Sequence, residues 1–198
     1  MKTSSIVLTT LGALWLLAIV VGTFVLMKYE YTPGIAKIPG SQWPSASQIP
    51  LSKDRSTLIM FAHPQCPCTR SSIAELARLI AHCKIQAKAY VLFISPKSMP
   101  FGWEKTDLWR SAQIIPGVTV LSDINGIEAN RFNAVISGQT MIYDTKGKLI
   151  FSGGITASRG QEGDNLGLNS AILALQVQPL KNQTTSVFGC SLVSSNSK

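Results

Sequence analysis

His63-Pro64-Gln65-Cys66-Pro67-Cys68-Thr69-Arg70 sets two thiols on either side of one proline, between an apolar run and an amphipathic segment. The run before it, Thr57-Leu58-Ile59-Met60-Phe61-Ala62, has the length and composition of a buried strand. After it, Ile73, Leu76, Ala77, Ile80 and Ala81 recur at helical spacing. The thiols therefore belong to a strand-to-helix junction, where the positive end of the helix dipole, with Arg70 and His63 close in sequence, favours thiolate over thiol. This is the pattern of a redox-active dithiol. Two other readings stay open: a structural staple or simple packing of small apolar residues, and a soft metal site with His63 added to the sulfurs. Against the staple, a bridge across one intervening residue closes a tiny ring, with little loop entropy to gain and strain in the bond.

The chain of 198 residues opens with a stretch, Ile6 to Met27, that carries no charge and is long enough to cross a bilayer as a helix. Lys2 precedes it, Lys28 follows it, and no small-x-small cleavage site stands at its end. It reads as an uncleaved signal anchor, residues 1–28, with the remainder outside the cytoplasm, a periplasmic or equivalent space. Disulfides are allowed there, and the 4 cysteines, Cys66, Cys68, Cys83 and Cys190, are too few for a disulfide scaffold. The net charge of +8 is scattered, without basic runs or interleaved aromatics, so nucleic acid is not an expected partner.

Residues 29–51, with Pro33, Pro39, Pro44 and Pro50, read as a semi-extended linker; Trp43 either sits at the membrane interface or packs on the domain. Residues 52–178 then form one domain and 179–198 a tail. Within the domain, Ala87 to Ile94 is a buried strand, Glu104 to Gln113 a short helix, and Val118 to Leu121 a third strand. Thr140 to Tyr143 and Lys148 to Phe151 flank the turn Asp144-Thr145-Lys146-Gly147 as a hairpin. A last helix holds Leu168, Ile172 and Leu175, with Asp164 or Asn165 as its cap. Helices alternating with buried strands before a terminal hairpin and helix imply an α/β sandwich with a mixed sheet.

From about Ser56 to Gln176 these residues resemble the thioredoxin-like superfamily, and within it the membrane-tethered thiol–disulfide proteins of the TlpA and alkyl-hydroperoxide-reductase-like branch. His-Pro-x-Cys-Pro-Cys together with Phe-Ser-Gly-Gly-Ile-Thr is similar to the bacterial RedB-type proteins. The resemblance implies a thioredoxin-like sandwich acting on protein thiols or disulfides without a cofactor. Cys66 would attack a partner disulfide and Cys68 resolve the mixed disulfide, supported by His63, Pro67 and Arg70. The chain departs from that pattern in three places. One residue rather than two separates the thiols. Ser137-Gly138-Gln139-Thr140 occupies the loop where the superfamily carries a cis-proline. Ser72-Ile73-Ala74-Glu75 is a capping box, which would start the regular helix well after Cys68.

Peroxiredoxin chemistry is disfavoured, because that family's cysteine follows a Thr or Ser at a spacing absent here. A tethered Cu(I) chaperone or sensor using Cys66 and Cys68 is the alternative from another class, with His82 as an available histidine, and a non-catalytic interaction domain is the third reading. Gly153 to Asn165 is a glycine-rich loop without phosphate-binding spacing, read as a rigid segment with Arg159 paired to Glu162 or Asp164. Cys83 reads as a buried residue at a helix end. In the tail, Val187-Phe188-Gly189-Cys190 has reason to fold back, since burying Val187 and Phe188 contributes roughly 3–5 kcal/mol before ordering costs. Cys190 would then dock near the dithiol as a third thiol or near Cys83 and pair with it; a free, inert Cys190 is the other reading.

Overall fold

The computed structural model describes residues 2–83, 87–176 and 184–192. The chain divides into two compact units, residues 1–32 and 33–198. The first is α1 (Lys2–Tyr31), whose segment Ile6–Tyr31 has a mean hydropathy of 2.3 and is long and apolar enough to cross a membrane. Its leucines, valines and Phe24 are exposed along its whole length.

The second unit is built on β1 (Ser56–Ala62), β2 (Ala87–Ser95), β3 (Val118–Ile124), β4 (Thr140–Tyr143) and β5 (Leu149–Gly153), in the order β3-β2-β1-β4-β5. β1 pairs parallel with β2 and antiparallel with β4, so it lies at the centre with six of its seven residues buried. Alternation along that strand sends Leu58, Met60 and Ala62 into one core and Ile59 and Phe61 into the other. The first core is closed by α2 (Pro67–His82), α3 (Asp107–Gln113) and α5 (Leu166–Leu175). The strands, the helices and the closing hairpin make an α/β sandwich with a mixed sheet, as the sequence pattern implies.

The second face explains the proline-rich stretch. Among the described residues one short helix, α4 (Ile127–Arg131), which has no counterpart in the sequence reading, packs a side chain there, Ala129. Phe132 and Ala134 follow it directly, and further apolar side chains come from Trp43, Ile49 and Leu51 at one end of the unit and from Leu192 at the other. Trp43 stands edge-on to Phe132 at 4.9 Å and to Tyr143 at 5.1 Å, and its backbone N–H donates to the Gly147 carbonyl at 2.7 Å. The Glu128 carboxylate accepts from Ser47 Oγ at 2.7 Å and from the Gln48 N–H at 3.1 Å. From Pro33 onward, therefore, the segment read as a tether is counted with the folded unit: a sheet buried on both faces needs apolar cover that α4 is too short to supply.

Local chemistry explains the other boundaries. Glu104 is buried and accepts from Ser95 Oγ and Ser122 Oγ at the end of a turn over residues 101–104, and the helix starts at Asp107. β3 runs on to Ile124, and the buried carboxylate of Asp123 receives the N–H groups of Glu128 and Ala129, both at 2.8 Å, at the start of α4. Asp144 closes the hairpin by accepting from the N–H groups of Lys146 and Lys148, with Gly147 at φ +78°. Asn165 caps α5, its side chain accepting from the Leu168 N–H at 2.9 Å. Of the domain boundary placed at 178 and the tail beyond it, only residues 184–192 fall among the described residues.

Candidate redox site

The site forms where the central strand ends. β1 stops at Ala62, the chain turns through His63-Pro64-Gln65, and α2 starts at Pro67 with Cys66 in the extended N-cap position, φ −87° and ψ 116°. Proline suits the first helical position because its missing N–H would have no helical partner there. This corrects the capping-box reading, which starts the helix near Ser72. Ser72 Oγ points back to the Cys68 carbonyl, and the Glu75 carboxylate is taken by Arg78 and by the Gly163 N–H, so neither forms the box. Cys66 therefore meets the positive end of a two-sided, fully formed helix.

Around Cys66 the donors converge. Burial pushes its thiol up, but the side chain and N–H of Cys190, the Thr69 hydroxyl and the Cys68 N–H together outweigh it and hold the thiol below the ordinary cysteine range. Cys190 Sγ lies 2.7 Å from Cys66 Sγ, and the Cys190 N–H donates to Cys66 Sγ at 3.4 Å. Cys68 is shifted the other way, first by burial and then by the charge of Cys66, with Arg159 partly offsetting both. Cys190 is pushed up to about 12 by burial, then by its bond to Cys66 and the charges of Cys66 and Cys68. One thiol of three is thus selected for ionisation.

The predicted supporting residues are placed differently from one another. Pro67 is exposed beside Cys66. Burial lowers His63, whose Nδ1 accepts from the Gln65 N–H and whose ring stands edge-on to Trp103 at 5.6 Å; it brings hydrogen bonding and packing rather than positive charge. Arg70 reaches away to an exposed ion pair with Asp107. The guanidinium beside the thiols is that of Arg159, which donates to the Gly189 carbonyl at 2.8 Å and sits against Cys68. Of the two carboxylates offered as partners of Arg159, Glu162 and Asp164, the second is held by Arg78 at 3.0 Å. Cys83 is a buried residue of the first core at the C-cap of α2, and burial raises its thiol; Cys190 docks at Cys66 rather than beside it.

Ser137-Gly138-Gln139 closes the site from the β4 side. Ser137 Oγ accepts from the His63 N–H at 2.8 Å and lies 2.6 Å from Thr69 Oγ1, tying the strand end to the helix start. The Gly138 N–H donates to the Phe61 carbonyl, and a Cβ at Gly138 would meet Ser72 Oγ at 2.6 Å. Gln139 fills the place before β4, buried, its Oε1 accepting from the Val135 N–H. His82 is exposed in the last turn of α2, at the end of the helix opposite Cys66. Among the described residues no group of three or more His, Cys, Asp or Glu side chains is arranged to hold a metal ion.

The C-terminal segment completes the site, and it is the part the motif alone does not reveal. Thr184 bridges to Ser152, the Gly154 N–H donates to the Ser186 carbonyl at 3.2 Å, and Ser191 bridges to Ile136. Added Cβ atoms at Gly154 and Gly167 would meet Ser186 O at 2.5 Å and Gly154 O at 2.0 Å. Gly154, just after β5, thus leaves room for the returning tail, and Gly167, in the first turn of α5, for the close approach of the Gly154 backbone.

An α/β sandwich with a mixed five-stranded sheet and a selected thiol at the end of its central strand is what this architecture defines. An uncharacterised conserved protein from Geobacillus kaustophilus is similar to it, with a TM-score of 0.60 and 18% identity over 85% of this chain and 95% of its own. A hypothetical protein from Sinorhizobium meliloti 1021 follows at a TM-score of 0.56 and 14% identity, over 81% of this chain and 93% of its own. A thioredoxin-like protein in its oxidised form superposes at a TM-score of 0.49 and 14% identity, over 76% and 97%. At these identities the likeness is one of fold. No protein-family model and no curated protein matches the sequence.

Proposed function

We propose that the protein is a thiol–disulfide oxidoreductase, anchored in a membrane by α1, with its folded unit on the extracytoplasmic side and Cys66 as the attacking thiol. The observation that carries this reading is the position of Cys66: an N-cap residue whose thiol is held below the ordinary range while Cys68 and Cys190 are raised. A thiolate at a helix N-terminus is the nucleophile that disulfide exchange requires. The substrates are disulfides of other proteins, and the RedB-type kinship rests on the motif residues alone. Cys66 is only 1% exposed, so a partner gains access by displacing the segment that carries Cys190.

Reduction of insulin disulfides by the full-length protein, supplied with a dithiol reductant, tests the reading. The wild type is expected to turn over and Cys66→Ser to be inactive. Equal rates for the two would leave a non-catalytic tethered domain as the better account. Protease accessibility in intact cells tests the orientation, and a shielded domain would refute it.

A further inference from the structure

We infer that Cys190, carried into the site on the C-terminal segment, is the thiol that resolves the mixed disulfide formed at Cys66, in place of Cys68. This rests on Cys66 being the attacking thiol. The two sulfurs stand 2.7 Å apart across 124 positions of sequence, within reach of one another for a bond. Their proximity is built in. The Cys190 carbonyl accepts from the Ser137 N–H at 2.8 Å, and the Leu192 N–H donates to the Val135 carbonyl at 2.9 Å. Arg159 holds the Gly189 carbonyl, and Gly189 lies so close to the Ser137 loop that a Cβ there would meet Ser137 O at 2.0 Å. Val187 and Leu192, 2% and 3% exposed, anchor the segment on either side.

Cys68 is less suited to the role. Cys66 is extended and Cys68 lies in the first turn of α2, with the ring of Pro67 between them restricting the backbone that a bridge would have to bend. The segment bearing Cys190 has no such constraint, because it reaches Cys66 from outside the helix. In the first step the Cys66 thiolate attacks one sulfur of a partner disulfide. A bond forms between Cys66 and that sulfur, the partner's own S–S bond breaks, and its second sulfur leaves as a thiolate and takes up a proton. The returning segment then brings Cys190 to Cys66. The Cys190 thiol gives its proton to solvent and attacks Cys66 Sγ, the Cys66–Cys190 bond forms, and the first partner sulfur departs as a thiolate and is protonated. Two electrons pass to the partner disulfide, which becomes a dithiol, and the Cys66/Cys190 pair is oxidised.

Full-length protein, reduced and freed of reductant, is exposed to oxidised glutathione, quenched, alkylated and mapped without reduction, in the wild type, Cys68→Ser and Cys190→Ser. The expected result is a Cys66–Cys190 cross-linked peptide in the wild type and in Cys68→Ser. In Cys190→Ser that peptide is lost and glutathione accumulates on Cys66. The Cys68→Ser arm reads the bond with the C-terminal segment unaltered, so loosening of that segment in Cys190→Ser does not decide the outcome. A Cys66–Cys68 bond with Cys190 alkylated in the wild type would overturn the assignment while leaving Cys66 as the attacking thiol. Absence of any adduct or bond at Cys66 in all three proteins would overturn the oxidoreductase reading itself and this assignment with it.

Discussion

At the scale of single residues, the site separates three thiols by the direction in which each is pushed. Desolvation raises all of them, and only Cys66 collects enough donors to reverse it. Its thiolate fraction should therefore rise at a lower pH than that of an ordinary cysteine, while Cys190, pushed up to about 12, stays protonated through neutrality. Thiolate ultraviolet absorbance across a pH series checks this, using Cys68→Ser/Cys83→Ser protein to isolate the pair. Cys190→Val keeps the site covered but removes the S–H donor, so the Cys66 titration is expected to move to higher pH. An unchanged titration would mean that the helix N-terminus, rather than Cys190, selects Cys66. Arg70→Ala should leave the same curve in place, since its guanidinium is engaged by Asp107.

At the scale of elements, the helix start and the C-terminal segment carry the site. Gly189→Ala puts a Cβ against the Ser137 carbonyl, and the segment should detach. The readout is faster alkylation of Cys66, which the segment otherwise covers. Leu192→Ala removes a side chain from the second core and is expected to cost about 2–3 kcal/mol in urea unfolding, within the range for buried leucines. Asn165→Ala should cost about 1 kcal/mol through loss of the α5 cap. If the Leu192 variant unfolds like the wild type, the segment is not packed as described. The capping box at Ser72–Glu75 shows why element boundaries are hard to read from sequence: a local pattern is satisfied by partners that only folding supplies, here Arg78 and Gly163.

For the whole molecule, the division into residues 1–32 and 33–198 predicts that the second unit folds without the first. A chain starting at Pro33 should be soluble and show the same cooperative unfolding as the detergent-extracted full-length protein. The full-length chain should sediment with membranes and resist a high-salt wash, because an apolar helix rather than its +8 charge would hold it there. Release by salt alone would count against the anchor. Starting the soluble chain at residue 52 instead removes Trp43 and Ile49 from the second core and should destabilise it markedly, which distinguishes a folded segment from a tether.

The apolar run of β1, the helical spacing after Cys68, the hairpin turn and the long uncharged N-terminal stretch are local patterns, governed by periods of two and 3.6 and by turn chemistry. They were legible because each residue's environment is set by its near neighbours, and they determined the strand–helix order and hence the mixed α/β sandwich. The sheet's second face, the role of residues 33–51 and the placement of Arg159 were decided by tertiary structure alone, and so was the choice of Cys66 over Cys83 as the thiol that Cys190 approaches. Each joins groups far apart in the chain, and Cys66 and Cys190 are separated by 124 positions. No local preference encodes such a contact: it exists because both faces of the sheet must be covered, and the segment that covers one of them carries a thiol to the end of the central strand.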